Sequence, residues 1–547
     1  MRTKQLLLTV GVTCALCLLG LSLKAQTING DVFEDGRSLK GEYVMPDNVT
    51  EIADYAFFQG DVTKVTVSKN LKKIGKLAFG YCAKLVEVVF PEECKLEFID
   101  QDAFADCSLL KQLILPNGVK QIEDRAFWGC ANLTKIHIPT QLDTLKQHAF
   151  QNCEALTSVT FSDKLKVLGN NAFAGCVSLK EVNILSLDSI ATKVFYGCKS
   201  LKSIVLPNNL RAIADSAFMR CEALTALTIP KSVVSIGARL TRRCPSFIQF
   251  NVEEGSNNFA TEDGILFSKD KRTLYECPAM YQSEKYVVPQ ETKRLAPYSF
   301  FECKNVASIV IPKEIERIGV AALSYNGMRE FFFEGNESYL LHDGALHYKK
   351  KNENGDVVPL ALLSYPTKRK GDCTVANGTK LIAQYAFTGA EELENIILPA
   401  SIEGIDSCSM QSLTGLKSIT CKGTTPPLVY FGAFDNTNTP EVICYVPKGC
   451  IETYAKYTSW LLFKLTEGEY IHVNPVEEYG DKVFYSRANH MLYTRLSEAD
   501  EATLYDMMGR EIAVFLLQAG QEALPLDGLQ EGHYILRLNR ANKTFKL

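Results

Sequence analysis

Ala126-Phe127-Trp128-Gly129-Cys130-Ala131-Asn132-Leu133-Thr134-Lys135-Ile136-His137-Ile138-Pro139 is the stretch that decides the fold. Its skeleton is Ala-Phe, a Cys three residues after the Phe, then Leu-x-x-Ile-x-Ile-Pro. The skeleton recurs at Ala103-Phe104 with Cys107, Ala149-Phe150 with Cys153 and Ala172-Phe173 with Cys176, a period of 23 residues. One such unit cannot bury its own apolar face and must stack on its neighbours, so the period predicts a solenoid. Ile136 and Ile138 alternate as in a strand with one buried face. Pro139 lacks an amide donor and ends that strand. Leu145, ahead of Ala149-Phe150, predicts a turn or short helix that drives the Phe inward. The expected coil is therefore a strand, a turn and a short helical or irregular return. The strands form a parallel sheet along one side, and Phe and Cys fill the interior.

Outward from this stretch the register runs through Phe57, Phe79, Phe104, Phe127, Phe150, Phe173, Phe195 and Phe218. It weakens at Thr241 with Cys244, then resumes at Phe300, Leu323, Phe387, Met410 and Phe434. Two long intervals, near 252–290 and 334–378, resemble each other. The first holds Asp263-Gly264-Ile265-Leu266-Phe267 and Tyr275-Glu276-Cys277-Pro278; the second holds Asp343-Gly344-Ala345-Leu346-His347-Tyr348 and Ser364-Tyr365-Pro366. Asp-Gly between apolar runs signals a hairpin. Both intervals are expected to be β-hairpins that project from the solenoid while its core continues beneath. Thr424-Thr425-Pro426-Pro427, Cys444-Tyr445-Val446-Pro447 and the run Tyr454 to Trp460 read as a terminal coil with a helical lid, the cap a solenoid requires.

A chain of 547 residues exceeds one compact core, and its 46% apolar and 22% charged content is that of a folded protein. Net charge is -4, from 59 basic and 63 acidic residues, with no basic stripe. That excludes phosphate-driven capture of nucleic acid. Arg2 and Lys4 precede an apolar run from Leu6 to Leu23 and then Leu23-Lys24-Ala25. This reads as a secretory signal peptide over residues 1–25, with a retained anchor as the alternative. No other stretch is apolar for the roughly twenty residues a spanning helix needs.

Sixteen of the eighteen Cys lie beyond the signal, where disulfides are the ordinary expectation. Yet Cys82, Cys107, Cys130, Cys153, Cys176, Cys198, Cys221, Cys244 and Cys303 hold one place in their repeats. Equivalent side chains on stacked coils point the same way, whereas a bridge needs them to face each other. A column of buried thiols acting as small hydrophobes is the favoured reading. Without close Cys-x-x-Cys pairs, a zinc site is not indicated.

The repeat resembles the BspA-type bacterial leucine-rich repeat over roughly Tyr43 to Lys464, in its Ala-Phe, Cys-x-x-Leu and Leu-x-x-Ile-x-Leu-Pro steps. The hairpin insertions and the Pro-Pro to Tyr-Val-Pro terminal coil are similar to that family too. Thr241 departs from the Phe position, and Ala390 and Ser412-Leu413 stand where Cys is usual, which predicts loosened coils beside the insertions. The resemblance implies a leucine-rich-repeat solenoid on a cell surface, with binding to matrix proteins and coaggregation as the associated roles.

Beyond Thr466 the composition shifts to a linker over 467–479, then to short strand-like runs separated by turns. Residues 480–547 fit a small all-β, immunoglobulin-like sandwich. Leu504-Tyr505-Asp506-Met507-Met508-Gly509-Arg510, the segment Leu526 to Leu538 and the tail Lys543-Thr544-Phe545-Lys546-Leu547 resemble the type A sorting domain of Bacteroidetes type IX secretion cargo. That resemblance implies recognition of 480–547 by an outer-membrane translocon and delivery to the outer surface of a Bacteroidetes-type cell. An accessory module that stays attached is the alternative.

No His-Glu-x-x-His zinc motif, phosphate-binding Gly loop or Gly-x-Ser-x-Gly turn occurs, so no enzyme, metal or cofactor is expected. His137 and His148 lie apart, and His342 and His347 are expected to be solvent-facing hairpin residues. The candidate binding residues are those between the two inward positions of each strand: Thr66, Val89, Ile114, His137, Thr160, Asn183, Val205, Thr228 and Asn251. A second column holds Lys64, Glu87, Gln112, Lys135, Ser158, Glu181 and Ser203. Plain strand propensity also puts β-branched residues there. A mild strip with mixed charge beside it suits an extracellular protein or glycan partner. For a glycan- or nutrient-capture protein, Phe331-Phe332-Phe333 and Tyr348 are the candidate stacking platforms.

Overall fold

The computed structural model describes residues 27–351, 356–468, 482–486, 491–496, 499–506, 510–517, 520–525, 534–539 and 543–546. The expected leader (1–25), the linker from 469 on, and residues 507–509 and 526–533 of the C-terminal motifs lie outside the described residues.

The described residues between 27 and 468 form a β-solenoid with almost no helix. Strands such as Lys135–His137, Ser158–Thr160 and Glu181–Asn183 stack parallel and in register, so Ile136, Val159 and Val182 make one inward row. Pro139 follows, and its carbonyl accepts the Leu142 amide to turn the chain. The return is where expectation and structure part. It is not helical: it carries a second parallel ladder of two-residue strands, among them Gln121–Ile122, Thr144–Leu145, Val167–Leu168 and Ser189–Ile190, and the rest of each return is irregular turns. Leu145 thus sits in a strand and points into the core.

The Ala-Phe segment cannot be helical, because two residues per coil take left-handed backbone angles. Arg125 (φ 56°) and Gly129 (φ 73°) do so in one coil, His148 (φ 58°) and Asn152 (φ 61°) in the next. A non-glycine residue in that region costs about 1 kcal/mol. The return is a set of hydrogen bonds between coils: the amides of Arg125, Phe127 and Gly129 donate to Gln147, Ala149 and Gln151 carbonyls at 2.8–3.0 Å. Intervening amides close the turn on itself, with Ala126 to Glu123 and Cys130 to Phe127.

Inside, nine Phe rings from Phe33 to Phe218 form one stack, with neighbouring centroids 4.8–6.1 Å apart and planes within 14°. The thiols do more than fill space. Cys153 Sγ donates to the Phe127 carbonyl of the preceding coil at 3.3 Å, and the same bond recurs from Cys82 to Cys244. All sixteen described cysteines are unpaired. Burial pushes the thiols of Cys130, Cys176 and Cys221 up to about 12, which keeps them protonated as donors. Ala390 and Leu413, where Cys was missing, are equally buried, so those coils are not loosened. At the next coil Thr437 takes the Cys place, and its hydroxyl donates to the Met410 carbonyl at 2.8 Å.

Both intervals are hairpins, but they do not project over a continuing core. Phe259–Glu262 and Ile265–Ser268 pair antiparallel, and Thr273–Glu276 leads into the parallel ladder beside Arg294–Leu295. The second hairpin does the same through Tyr339–His342, Ala345–Lys351 and Val357–Ser364. Each hairpin ends one ladder and starts the next, and the core falls into three clusters meeting at the hairpins. These coils are also short. Leu295 precedes Phe300 by five residues, whereas its partner Leu274 precedes Cys277, the residue in the Phe place, by three.

The missing residues leave amides of the preceding coil without carbonyl acceptors, and carboxylates replace them. Glu276 accepts from the amides of Leu240 and Thr241 at 2.8 Å and from the Thr241 hydroxyl at 2.6 Å. Glu302 accepts the Arg243 amide at 2.7 Å. At the far end the helix Ile451–Ala455 and Trp460 cover the last coil. The Trp460 indole donates to the Pro427 carbonyl, and the Tyr454 hydroxyl donates to that of Gly423. Beyond it, the described parts of 482–546 form two antiparallel sheets of three and four strands.

Candidate binding face

The outward residues of the strand ladder stand where register demands. Thr66 pairs with Val89, His137 with Thr160, Thr160 with Asn183, Asn183 with Val205, and Thr228 with Asn251. Ile114 belongs to the same row through the bridge from Glu87 to Gln112. The candidate column thus falls into three aligned runs, Thr66 to Ile114, His137 to Val205 and Thr228 to Asn251, each with side chains at the outward position. Ile114 and Val205 are 80% and 79% exposed, while His137, Thr160, Asn183 and Thr228 are exposed and Thr66, Val89 and Asn251 half-buried. Two β-branched aliphatic side chains at that exposure contribute nothing to the core.

The row is longer than expected. It begins at Val44, which is 71% exposed and pairs with Thr66. It resumes after the first hairpin with Val287, Val310 and Phe332. The signal was present in both places: Tyr43-Val44-Met45-Pro46 and Tyr286-Val287-Val288-Pro289 end on the same proline as the decisive stretch. In the last segment the row runs through Thr374, Ile397, Thr420 and Tyr445, of which Thr420 is buried and the others half-buried. The second column is a polar border in which Lys64 Nζ lies 2.8 Å from Glu87.

The aromatic platforms do not assemble. Phe331 is in the core, Phe332 lies under the Lys285 ammonium at 4.2 Å, and Tyr348 packs edge-on against Tyr339. His347 is fully buried, not solvent-facing. Its Nδ1 lies 3.1 Å from the Ala345 carbonyl, and Nε2 lies within 3.5 Å of the Ala376 amide. Burial holds it neutral by lowering its pKa to about 4. His342 is exposed. Among the described residues no group of His, Cys, Asp and Glu could hold a metal ion, and no helix is long and apolar enough to cross a membrane.

A family model described as a BspA type leucine rich repeat region (6 copies) matches residues 14–130, 72–198, 184–263, 270–350 and 371–490. The chain belongs to this family. No curated protein matches it. Among solved structures, the BspA-type chain is similar to a leucine rich cell surface protein from Faecalibacterium prausnitzii, at 20% identity and TM-score 0.43 over 72% of this chain and 94% of that one. It is similar to the pneumococcal vaccine antigen PcpA, at 22% identity and TM-score 0.36 over 82% and 96%. A leucine-rich repeat protein from Bacteroides ovatus gives 20% and 0.33 over 81% and 94%. The Phe and Cys rows that carry the BspA-type repeat pattern are buried, so that pattern specifies the scaffold and not the outward row.

Proposed function

We propose that this BspA-type protein is an adhesin of the bacterial cell surface whose outward strand row binds an extracellular protein. One observation carries the reading: Val44, Ile114, Val205 and Val287 are exposed aliphatic residues at outward strand-row positions, where their apolar surface has no structural use. Between them Thr66, Val89, His137, Thr160, Asn183 and Thr228 offer hydrogen-bonding and weakly apolar contacts spread over many coils. In an interface of this kind a few apolar anchors carry most of the affinity, so the exposed aliphatic positions are where substitution should tell most. Export by the leader, translocon recognition of 480–547 and residence on the outer surface of a Bacteroidetes-type cell belong to the same proposal.

The test is solid-phase binding of the purified chain to matrix proteins, bacterial cells and a glycan array. Ile114→Lys with Val205→Lys should leave the melting temperature unchanged and lower binding to a protein ligand about tenfold or more. Binding to glycans alone, or binding untouched by the double substitution, would sink the reading. Removal of 480–547 should keep the protein from the cell surface; a truncated chain that still arrives there refutes the sorting role.

A further inference from the structure

The first hairpin leaves a gap in the row of Ala-Phe turns, because its coil is two residues short of its neighbour between ladder and Phe place. One side of the gap is filled: the Arg242 guanidinium lies 3.9 Å over the Phe301 ring and 5.0 Å over that of Tyr298. The other side is open, as a cavity of about 500 Å³ lined by Arg243, Pro245, Met280, Lys304, Asn305 and Tyr325. A second hollow of about 350 Å³ shares Lys304 and Asn305 with it and runs on to Gln282, Glu284 and Arg329. The other hairpin supplies an internal control. Its coil is shortened alike, yet there Gly389 abuts the Tyr325 ring so closely that a Cβ would lie 2.5 Å from it. A short coil therefore does not by itself require an open trough.

The lining decides the occupant. Arg243 is already engaged by Glu302 at 3.7 Å, and Glu222 at the rim is held by Lys199 at 3.0 Å. Lys304 and Arg329 form no ion pair among the described residues, and Glu284 is the single carboxylate left to set against them. With Glu222 paired to Lys199 outside the trough and Glu302 to Arg243, one cation of the lining is left uncompensated, beside the apolar Met280, Ala279 and Pro245. Asn305 and Gln282 present carboxamides, which both donate to and accept from peptide groups. Tyr325 offers no open ring face for a sugar to stack on, since Gly389, Phe301 and Lys304 surround it.

We infer that this trough seats an extended polypeptide segment of the partner, with an acidic side chain on Lys304 and an adjacent apolar side chain over Met280. The inference rests on the reading above that the ligand is a protein, and it adds a specificity pocket away from the strand row.

The test uses fluorescein-labelled, N-acetylated and C-amidated octapeptides with a central Asp-Leu pair in a Gly-Ser background, and their Asn-Leu counterparts. By fluorescence anisotropy with the full chain, the Asp-Leu peptide should bind more tightly than the Asn-Leu peptide. Lys304→Glu, at an exposed site, should weaken the Asp-Leu peptide about tenfold and abolish the preference. Ala279→Trp, which fills the floor, should remove binding of both, with its melting curve confirming that it folds. Ile114→Lys with Val205→Lys should change nothing here, so loss of adhesion and loss of peptide binding are read separately. Absence of peptide binding, indifference to Lys304→Glu, or binding of hexagalacturonate in place of the peptides would each overturn the inference.

Discussion

A single thiol shows why this repeat keeps cysteine. Cys153 has a small hydrophobe's burial, yet its Sγ donates to the Phe127 carbonyl, which also accepts the Cys130 amide. Thr437 makes the equivalent bond to Met410 with a hydroxyl, which separates the donor from the sulfur. Cys153→Ala should therefore cost about 1–2 kcal/mol, from a lost hydrogen bond and a small void. Cys153→Thr should cost less, since it restores a donor at similar volume. Urea denaturation midpoints check this; equal losses for both variants would mean that the thiol only fills space. The native chain should also resist thiol reagents, because raised pKa values and burial withhold the thiolate.

The hairpins are joints at the scale of elements, and the second carries a titratable one. His347 is buried and neutral, with its pKa lowered to about 4, while an unfolded histidine titrates near 6.5. Between those values the unfolded chain binds the extra proton, so the stability His347 supports is full above pH 6.5 and falls as the pH drops toward 4. Protection factors of the amides in Ala345–Lys351 and Val357–Ser364, taken relative to intrinsic exchange at each pH, should fall over that window, and His347→Gln should flatten the dependence. A loss of protection unchanged in the variant would assign it to other groups. The spacing of Asp343-Gly344 predicted a hairpin here, but a hairpin that projects would leave His347 in water. Antiparallel pairing of Ala345–Lys351 on both sides and continuation into the ladder bury it.

Over the whole molecule, three core clusters joined at hairpins imply three cooperative units instead of one uniform array. Solenoid stability sums unit terms and interface terms, and the first interface is held by Glu276 at the Leu240 and Thr241 amides. Glu276→Ala strands those buried donors and should cost about 2–4 kcal/mol at that joint. Hydrogen exchange should show protection lost around residues 221–250 while residues 50–150 keep theirs. A uniform loss along the chain would contradict the division.

The amino-acid sequence alone determined the solenoid, its inward Phe, Cys and Ile rows, the strand register and the outward column from Thr66 to Asn251. All of these are local consequences of one period, since identical units on identical backbones must align. It did not determine the second ladder, because two-residue strands exist only where a neighbouring coil supplies their partners and leave no alternation to read. Nor did it reveal the burial of Thr420 on the outward row, the burial of His347, or the open trough beside Lys304. Those depend on which residues lie opposite one another once a coil is shortened, and such contacts between coils are set only in the assembled tertiary structure.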